Sequence, residues 1–467
     1  LSTMSAGRAR ILLLVILFPA LTAVLARLYG WTIVLGRKGP LNDWLTKSGL
    51  VEEPLQLVFT RSAAILGLVH IFLPIAVFIL YSAIRRLDPA LGDASRSLGG
   101  GWWTTFRRIT LPATLPAASA AAVLVFALSI GNYVTPSVLG GPKEYTVPLE
   151  VIRLASVRDW GGALASGAVL LLATGLLFGI TLRLIRTPMG AGPVRPPGIR
   201  STPGPLAERV ALNAVLAGAI LFLVTPLLVV FPISVTPSSY FRFPPDGFSL
   251  KWYEDFFGDE AWRAAAWLSL RLALATAVVS TVLSVMAAFA TTRHLPRGGT
   301  AFRLLFIAPL IVPLVITGTA VLYVVEEFDI EGTFAAILMG HIVLALPFAY
   351  LVIESALRGY DTSLEDAAVT LGANRLRAFR AVTLPAIAPA VFAGAAFAFI
   401  ASWDDVVVVR FLSGSVGLQT LPVRMYMFMS TQIRPTIAAI SSLLITTLFV
   451  ALLAWEGWRA FSRRTVG

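Results

Sequence analysis

Two stretches of this 467-residue chain share one pattern: residues 88–112 read DPALGDASRSLGGGWWTTFRRITLP, and residues 361–385 read DTSLEDAAVTLGANRLRAFRAVTLP. They align without a gap at an offset of 273 residues, and 11 of their 25 positions are identical. The same register continues through Pro116/Pro389, Phe126/Phe399 and Ser129/Ser402. The chain therefore carries an internal repeat, and we expect both copies to fold alike.

The composition is that of a membrane protein. Hydrophobic residues make up 57% of the chain, charged residues only 13%, and the mean hydropathy is +0.82, whereas about 25% of residues are charged in soluble domains. Lipid covers apolar side chains directly, so a chain in a bilayer does without a polar surface. We therefore predict an all-α integral membrane protein, a polytopic helical bundle of two parallel, pseudo-two-fold-related halves. The stretches long enough to cross the hydrocarbon are residues 10–28, 62–84, 113–133, 163–186, 208–233, 262–292, 303–325, 333–357, 383–403 and 436–460.

Several kinds of site are excluded by residue counts. The chain has no cysteine, so disulfide, iron–sulfur and thiolate chemistry are impossible. Its three histidines are scattered along the sequence and cannot build a metal site alone. We expect no metal and no cofactor. The net charge of +12 does not require nucleic acid, because the basic residues lie between the apolar spans.

The distribution of charge predicts the topology. With the N-terminus inside, the cytoplasmic segments hold 22 basic and six acidic residues, and the opposite segments hold 13 basic and 17 acidic ones. Positive residues collect on the cytoplasmic side of membrane proteins. Both termini are therefore predicted to be cytoplasmic, and both copies of the repeat lie on that same side, as in a parallel repeat.

The segment 187–207 is rich in proline and glycine and has no apolar period, which predicts a cytoplasmic linker. It separates a first half, residues 1–186 with four spans, from a second half, residues 208–467 with six. Aligned on the repeat, the first half lacks the first two spans of the second. Two explanations stay open: a start codon assigned too late, or the loss of two peripheral helices.

Each copy of the repeat has a local design. Leu91, Ala94 and Leu98 recur at helical spacing, and Leu364, Ala367 and Leu371 repeat them, so each loop forms a short helix with an apolar stripe. Gly99 and Gly372 stand where such a helix ends in a left-handed cap. The stripe could pack on the protein's own helices or on headgroups. Because two copies share one register, we favour a dimeric cytoplasmic partner.

At these residues the chain resembles a known family. The pattern is similar to the "EAA" loop of type I ABC importer permeases, with the acid, small residues, glycine and Leu-Pro at the family's spacing. Aspartate replaces glutamate in both copies, and Ser95 replaces the second alanine in the first. The matching positions, which the resemblance implies couple to an ATPase, are Asp93, Ala94, Gly99, Leu111 and Pro112 in the first copy and Asp366, Ala367, Ala368, Gly372, Leu384 and Pro385 in the second.

The resemblance implies a transport subunit that is not itself an enzyme. Each loop would form a coupling helix seated in one subunit of a cytoplasmic ATPase dimer, and an external or periplasmic solute-binding protein would deliver the solute. The implied location is the bacterial inner membrane. The sequence contains no G-x-x-x-x-G-K-[ST] motif, so we expect ATP to be hydrolysed by separate chains.

Flanking residues suggest a solute. The stretch 131–141, GNYVTPSVLGG, and the run 402–405, SWDD, resemble polyamine permeases. Ferric ion, thiamine, an aminophosphonate or an oxyanion remain alternatives, and the fusion of two loops in one chain favours the ferric and thiamine systems. An ion-coupled secondary transporter is a third hypothesis, but it leaves the paired loops unexplained.

Candidate residues of the substrate path follow the repeated spans. Asp404 and Asp405 occupy the positions of Gly131 and Asn132 in the first half, and carboxylates there suit an organic cation. The alternative is an ordinary span end, with the acids solvated or paired with Arg410. Tyr133 and Trp403 are candidates for stacking on a cation. Among the other polar residues, Glu354 is expected to be a structural or interfacial acid and His341 a packing residue.

Overall fold

The computed structural model describes residues 6–141, 144–184, 206–240, 243–293, 299–413, 418–431 and 434–465, and within them the chain forms helices and turns but no strand. The predicted all-α class is confirmed. In chain order the helices are α1 (Ala6–Leu21), α2 (Val24–Val34), α3 (Pro40–Lys47), α4 (Arg61–Arg85), α5 (Pro89–Ser97), α6 (Trp102–Thr105), α7 (Leu111–Ile130), α8 (Val134–Leu139), α9 (Val147–Ser156), α10 (Trp160–Leu184), α11 (Leu206–Ser234), α12 (Lys251–Gly258), α13 (Glu260–Arg293), α14 (Gly299–Ile311), α15 (Leu314–Glu327), α16 (Phe334–Gly359), α17 (Ser363–Thr370), α18 (Arg375–Ala378), α19 (Leu384–Trp403), α20 (Val407–Leu412), α21 (Leu421–Thr431) and α22 (Thr436–Thr465).

Eight of the ten predicted spans are long, apolar helices in the described part of the chain. The other two, 10–28 and 303–325, are instead bent pairs: residues 11–21 and 24–34 meet at 93°, and 299–310 and 314–327 at 101°. Each bend follows a proline inside its first helix, Pro19 or Pro309. Proline removes a helical hydrogen bond and weakens a helix, but prolines also lie inside unbroken helices such as α4 and α16, so proline alone does not set these bends.

The predicted linker falls mostly outside the described residues, because 185–205 are not among them. Its last two residues belong to α11, which begins at Leu206.

The two copies of the repeat fold with matching boundaries. Helices α5, α6, α7 and α8 and their counterparts α17, α18, α19 and α20 begin and end 273 residues apart to within one residue. The helix before each copy also matches, since Thr60 caps α4 through the backbone N–H of Ala63 and Thr333 caps α16 through that of Ala336. Identical local chemistry thus gives identical local structure in both halves.

The chain divides into two compact units. The first comprises residues 1–146, 172–258 and 428–467, and the second comprises 147–171 and 259–427. Helices α11, α12 and α22 therefore belong to the first unit, although they follow the predicted linker in sequence. The two compact units therefore do not coincide with the two predicted halves, 1–186 and 208–467. The halves stay a prediction from the sequence.

The second unit is built on helices α13, α16 and α19, each of which packs on the other two. Small residues allow helices to approach closely in a membrane, where lipid leaves little hydrophobic drive for their association. One face of α13 buries a run of such residues: Ser269, Ala273, Thr276, Ser280, Ser284, Ala287 and Thr291. Where α16 meets α19, a Cβ on Gly394 would stand 3.3 Å from the backbone oxygen of Ala349.

The first unit packs α2 against α11 and α22, and α4 against α7 and α8. Helices α2 and α11 approach closely at Gly30, where a Cβ would lie 2.1 Å from the backbone oxygen of Pro226. Two buried side chains make further bonds in this unit. The Tyr29 hydroxyl on α2 donates to the Arg434 carbonyl, just before α22, at 2.8 Å, and His70 Nε2 on α4 lies 3.1 Å from the Leu223 carbonyl oxygen on α11. These bonds satisfy polar groups that lipid cannot solvate.

Candidate functional site

The first candidate site is the pair of repeated loops, which begin with the same cap. Asp88 Oδ1 accepts from the backbone N–H of Ala90 at 2.9 Å, and Asp361 Oδ1 accepts from that of Ser363 at 2.9 Å. An aspartate there satisfies a backbone donor at the start of the helix. The Ser363 backbone N–H, followed by its hydroxyl, also lowers the pKa of Asp361 below its ordinary value. This shared role explains why aspartate stands at this position in both copies of the repeat.

Both loop helices end in a Schellman cap. The backbone N–H of Gly100 bonds to the Ser95 carbonyl at 2.8 Å, and that of Ala373 to the Ala368 carbonyl at 3.1 Å. The residue before each donor is left-handed, with φ of +80° at Gly99 and +93° at Gly372. Such angles favour glycine. A Cβ at either glycine would meet nothing within 4 Å, so backbone conformation alone requires it.

The apolar residues of these loops are not covered by the chain. Leu98 and Leu371, which are equivalent by the 273-residue offset, are each 89% exposed. Leu91 and Leu364, which lie seven residues or about two helical turns earlier, are exposed as well. The alternative in which the stripe packs on the protein's own helices therefore does not describe these four leucines. An apolar surface repeated at equivalent positions is typical of a binding site for a partner.

Among the other predicted coupling residues, the equivalent alanines Ala94 and Ala367 are alike in exposure, whereas the equivalent aspartates differ. Asp366 and Ala367 are exposed on α17, and Ala94 is exposed on α5. Asp93 and Ala368 are partly buried. The acid and small positions of the motif thus lie on the loop helices themselves.

The two loops differ in the side-chain contacts that stabilise them. In the first copy the hydroxyls of Ser95 and Thr105 lie 2.8 Å apart and join α5 to α6. In the second, the Thr383 hydroxyl donates to Glu365 at 3.0 Å, and Arg293 lies 4.0 Å from the same carboxylate. Sequence reasoning missed Glu365, since its partners lie outside the motif or across the loop.

Each Leu-Pro pair follows a single π-helical turn, at Phe106–Thr110 and Phe379–Thr383. In each turn a leucine N–H bonds five residues back, Leu111 to Phe106 and Leu384 to Phe379. Pro112 and Pro385 come next, and a proline ring collides with the carbonyl four residues before it. A wider turn gives that ring room. The loop thereby runs into the span as one continuous helix, residues 102–130 and 375–403.

The second candidate site is the turn between each repeated span and the short helix that follows it. We call this turn the elbow; it lies at residues 130–134 between α7 and α8, and at residues 403–407 between α19 and α20. Asn132 Oδ1 accepts from the backbone N–H of Thr135 at 3.0 Å. Asp405, at the equivalent position, accepts from those of Val408 at 3.4 Å and Val409 at 3.1 Å. Each side chain therefore caps the short helix that follows, α8 or α20.

The Asp405 carboxylate also belongs to a buried polar cluster. Its Oδ2 lies 3.3 Å from His341 Nε2, in contact but not in hydrogen-bond geometry, and the two side chains are 1% and 0% exposed. His341 Nδ1 lies 2.6 Å from the Ser402 hydroxyl, which donates to Thr276 at 3.3 Å. The cluster ties the elbow to α13 and α16. His341 does pack, as expected, but against a carboxylate.

The remaining elbow residues have different surroundings. Trp403 is partly buried and stacks on Phe399 with ring centroids 5.8 Å apart. Tyr133 is buried, and Asp404 is partly buried at the end of α19. The structure therefore places Asp405 and Trp403 on one elbow of the second unit, and Asn132 and Tyr133 on the equivalent elbow of the first.

Glu354 is a buried acid on α16. Its carboxylate lies 3.1 Å from Arg303 Nε and 2.8 Å from Arg358, which is one helical turn further along. Two arginines compensate the charge, which favours the structural role expected for it.

These features define a class of protein. It is a helical membrane protein with two equivalent loops, each of which presents exposed leucines on or beside a short helix and then leads into a span. A family described as "Binding-protein-dependent transport system inner membrane component" matches residues 10–187 and 280–456, once in each half. The chain belongs to this family, and the resemblance seen in the two motifs is confirmed.

Named relatives resemble parts of the chain. The spermidine/putrescine transport system permease protein PotB of Escherichia coli (strain K12) is 36% identical over 177 residues, covering 38% of this chain and 64% of that protein. The PotB of Salmonella typhimurium (strain LT2) is 36% identical over 62% of its length. The putrescine transport system permease protein PotI of E. coli (strain K12) is 33% identical over 217 residues, which is 45% of this chain and 77% of PotI. The chain thus spans less than two thirds of the length of these PotB relatives.

A solved bacterial ABC transporter involved in the import of the acidic polysaccharide alginate has a similar chain. The match covers 56% of this protein and 99% of that chain, with a TM-score of 0.43 and 16% sequence identity.

Proposed function

We propose that this chain is the membrane-spanning permease subunit of an ATP-driven importer and that its two loops dock separate ATPase subunits. The observation that carries the proposal is the matched pair of uncovered leucines, Leu98 and Leu371, each 89% exposed. Removing such surface from water is favourable, so two equivalent faces suit a partner with two equivalent clefts. The proposed partner is a dimer of cytoplasmic ATPases, and an external solute-binding protein supplies the solute.

The continuous helices provide the mechanical link. Residues 102–130 and 375–403 each run from the loop through the span. Movement of a docked loop therefore displaces the elbow at the far end of the same helix, where Asn132 or Asp405 caps the next segment. In this proposal ATP-driven closure of the partner dimer moves both elbows and switches the access of the solute path. The loops and both termini lie on the cytoplasmic face of a bacterial inner membrane.

Docking is tested by co-purification of the ATPase with variants of the exposed leucines. We expect Leu98→Asp with Leu371→Asp to reduce the bound ATPase about tenfold or more, because a carboxylate must be dehydrated in the interface. The fold should tolerate both changes, since the leucines lie in water or against the partner. Leu50→Asp, at an exposed leucine outside the loops, is the matched control. Undiminished ATPase binding by the double variant would contradict the docking proposal.

The proposed solute is a polyamine such as spermidine or putrescine. The names of the similar permeases support it, as does the acidic elbow at Asp404 and Asp405. Ammonium groups are attracted to carboxylates more strongly as water is excluded. Asp405 also caps α20. It therefore has two roles in this proposal, because it holds the conformation of the elbow and contributes a carboxylate to it.

The charge at the elbow is tested by uptake of a labelled polyamine. We expect Asp404→Asn with Asp405→Asn to lower uptake about tenfold, because two carboxylates that attract the cation are lost. The single variants separate the two roles: asparagine at 405 keeps one backbone acceptor, like that of Asn132, in place of two, so Asp405→Asn removes the charge and retains half of the cap, whereas Asp404→Asn leaves the cap intact. The amount of protein in the membrane and its bound ATPase serve as controls. Normal uptake by the double variant would remove the argument for a cationic solute.

A further inference from the structure

The first loop carries an exposed cluster of aromatic and basic residues that docking of the loop helices does not account for. Trp102 and Trp103 are 48% and 59% exposed. Both rings lie against Phe106, with centroid distances of 5.8 Å and 5.7 Å. Arg107 and Arg108 follow directly and are exposed. We call these five residues the aromatic–arginine collar.

The length of the helix sets the depth of the collar in a membrane. Residues 102–130 form one continuous span of 29 residues, or roughly 43 Å at about 1.5 Å per residue. The hydrocarbon layer needs only about 20 residues, and the bilayer with its headgroups is about 40–45 Å thick. Helix α7, Leu111–Ile130, supplies those 20 residues. The collar therefore lies at the level of the headgroups.

The span that follows the collar is little covered by the rest of the described chain. Only 11% of the apolar stretch of this span is buried, compared with 17% for the equivalent helix, residues 375–403, and 50% for α13. Leu111 and Leu115, which follow the collar on α7, are exposed and continue an apolar surface toward the membrane interior. The collar thus stands at the start of a helix whose apolar surface the described chain leaves largely uncovered, which suits contact with lipid.

The chemistry of the collar selects one occupant. Tryptophan is enriched where membrane and water meet, because its ring is apolar and its N–H is polar. Guanidinium groups bind phosphate through paired hydrogen bonds, and arginines near the surface favour anionic lipids. Residues 99–118 contain the two arginines and no acid to neutralise them.

We propose that the collar is a binding site for the headgroups of anionic phospholipids, which tether the first loop to the membrane surface. The second copy has arginines at 375, 377 and 380 but Arg375 and Leu376 in place of the two tryptophans. The tether is therefore a property of the first loop, and the two loops are unequal in how they meet the membrane. This site requires neither the proposed ATPase nor the proposed solute.

The absence of cysteine makes a site-specific label straightforward. Thr104 is exposed between the tryptophans and Phe106, so a fluorophore on Thr104→Cys reports lipid at the collar. The full chain is placed in phosphatidylcholine vesicles containing a minority of nitroxide-labelled phosphatidylglycerol or, separately, phosphatidylcholine labelled on the same acyl carbon. We expect phosphatidylglycerol to quench about twofold or more strongly, since each arginine enriches anionic lipid severalfold.

Two variants and a matched label complete the test. Arg107→Gln with Arg108→Gln should abolish the difference between the lipids, and Trp102→Ala with Trp103→Ala should reduce quenching by both. A label on Arg377→Cys, the equivalent position in the second loop, should be unchanged by the tryptophan substitutions, which also shows that the variant is folded. Equal quenching by the two lipids in the unmodified collar would overturn the proposal. So would a label that no lipid quenches and that only added ATPase shields, because a protein would then be the occupant.

Discussion

Replacing Gly99 and Gly372 together by valine is expected to abolish uptake, with a loss of at least about tenfold. Both residues are left-handed, and an L-residue in that region costs roughly 1–2 kcal/mol, more when it is β-branched. The two Schellman caps depend on those angles, so valine redirects Leu98 and Leu371, the next residues back. Because a Cβ would meet nothing within 4 Å, the effect comes from the backbone and not from a steric clash.

The two single variants should differ in size. Gly372, at φ of +93°, is further than Gly99, at +80°, from the left-handed minimum near about +57°. Gly372→Val is therefore expected to be the more harmful single change. Uptake of the solute into cells or proteoliposomes measures both variants.

Matched glycines serve as controls. Gly92 in the first loop helix and Gly359 before the second loop also have open space around a Cβ, but their φ angles are ordinary. Gly92→Val and Gly359→Val should retain most of the uptake. Transport by the Gly99→Val/Gly372→Val protein at the normal rate, at a normal amount in the membrane, would show that the caps are not needed for coupling.

Removing His341 is expected to be the most destabilising single change at the second elbow. His341→Leu leaves the Asp405 carboxylate, which is 1% exposed, without the imidazole beside it. Leaving a buried polar group without its partner costs roughly 1–3 kcal/mol, and more when the group is ionised. Since Asp405 keeps two backbone N–H donors, we expect the lower end of that range. The measurement is the thermal unfolding midpoint of the purified protein in detergent.

The first half of the chain indicates a second substitution that should compensate for the loss of His341. At the offset of 273, the counterparts of His341 and Asp405 are Leu68 and Asn132, so that half holds its elbow without a histidine–carboxylate contact. Adding Asp405→Asn to His341→Leu reproduces that combination and removes the uncompensated carboxylate. The double variant should therefore be more stable than His341→Leu alone. If the two substitutions destabilise additively, the pair is not energetically coupled.

Much of this protein is determined by short-range patterns. The apolar runs predict the spans because crossing a bilayer needs about 20 apolar residues wherever they occur. The caps at Asp88 and Asp361 and the turns at Gly99 and Gly372 follow from residues within one helical turn. For that reason the repeat predicted two loops of like structure and a family, and both predictions are confirmed.

The tertiary structure decided what depends on distant residues. Asp404 and Asp405 look alike in sequence, but only the fold brings Asp405 to His341, 64 residues earlier, and Glu354 to Arg303. A rule that treats every ionisable residue within a span as functional would have marked His341, but not its partner. The π-helical turns, the two bent pairs and the grouping of α11, α12 and α22 with the first unit were likewise beyond the sequence. Hydropathy and local spacing depend on neighbouring residues, so they predict the length of each span and the position of each turn. The pairing of polar side chains and the packing of helices depend on which helices come together in the fold, so they were seen only in the tertiary structure.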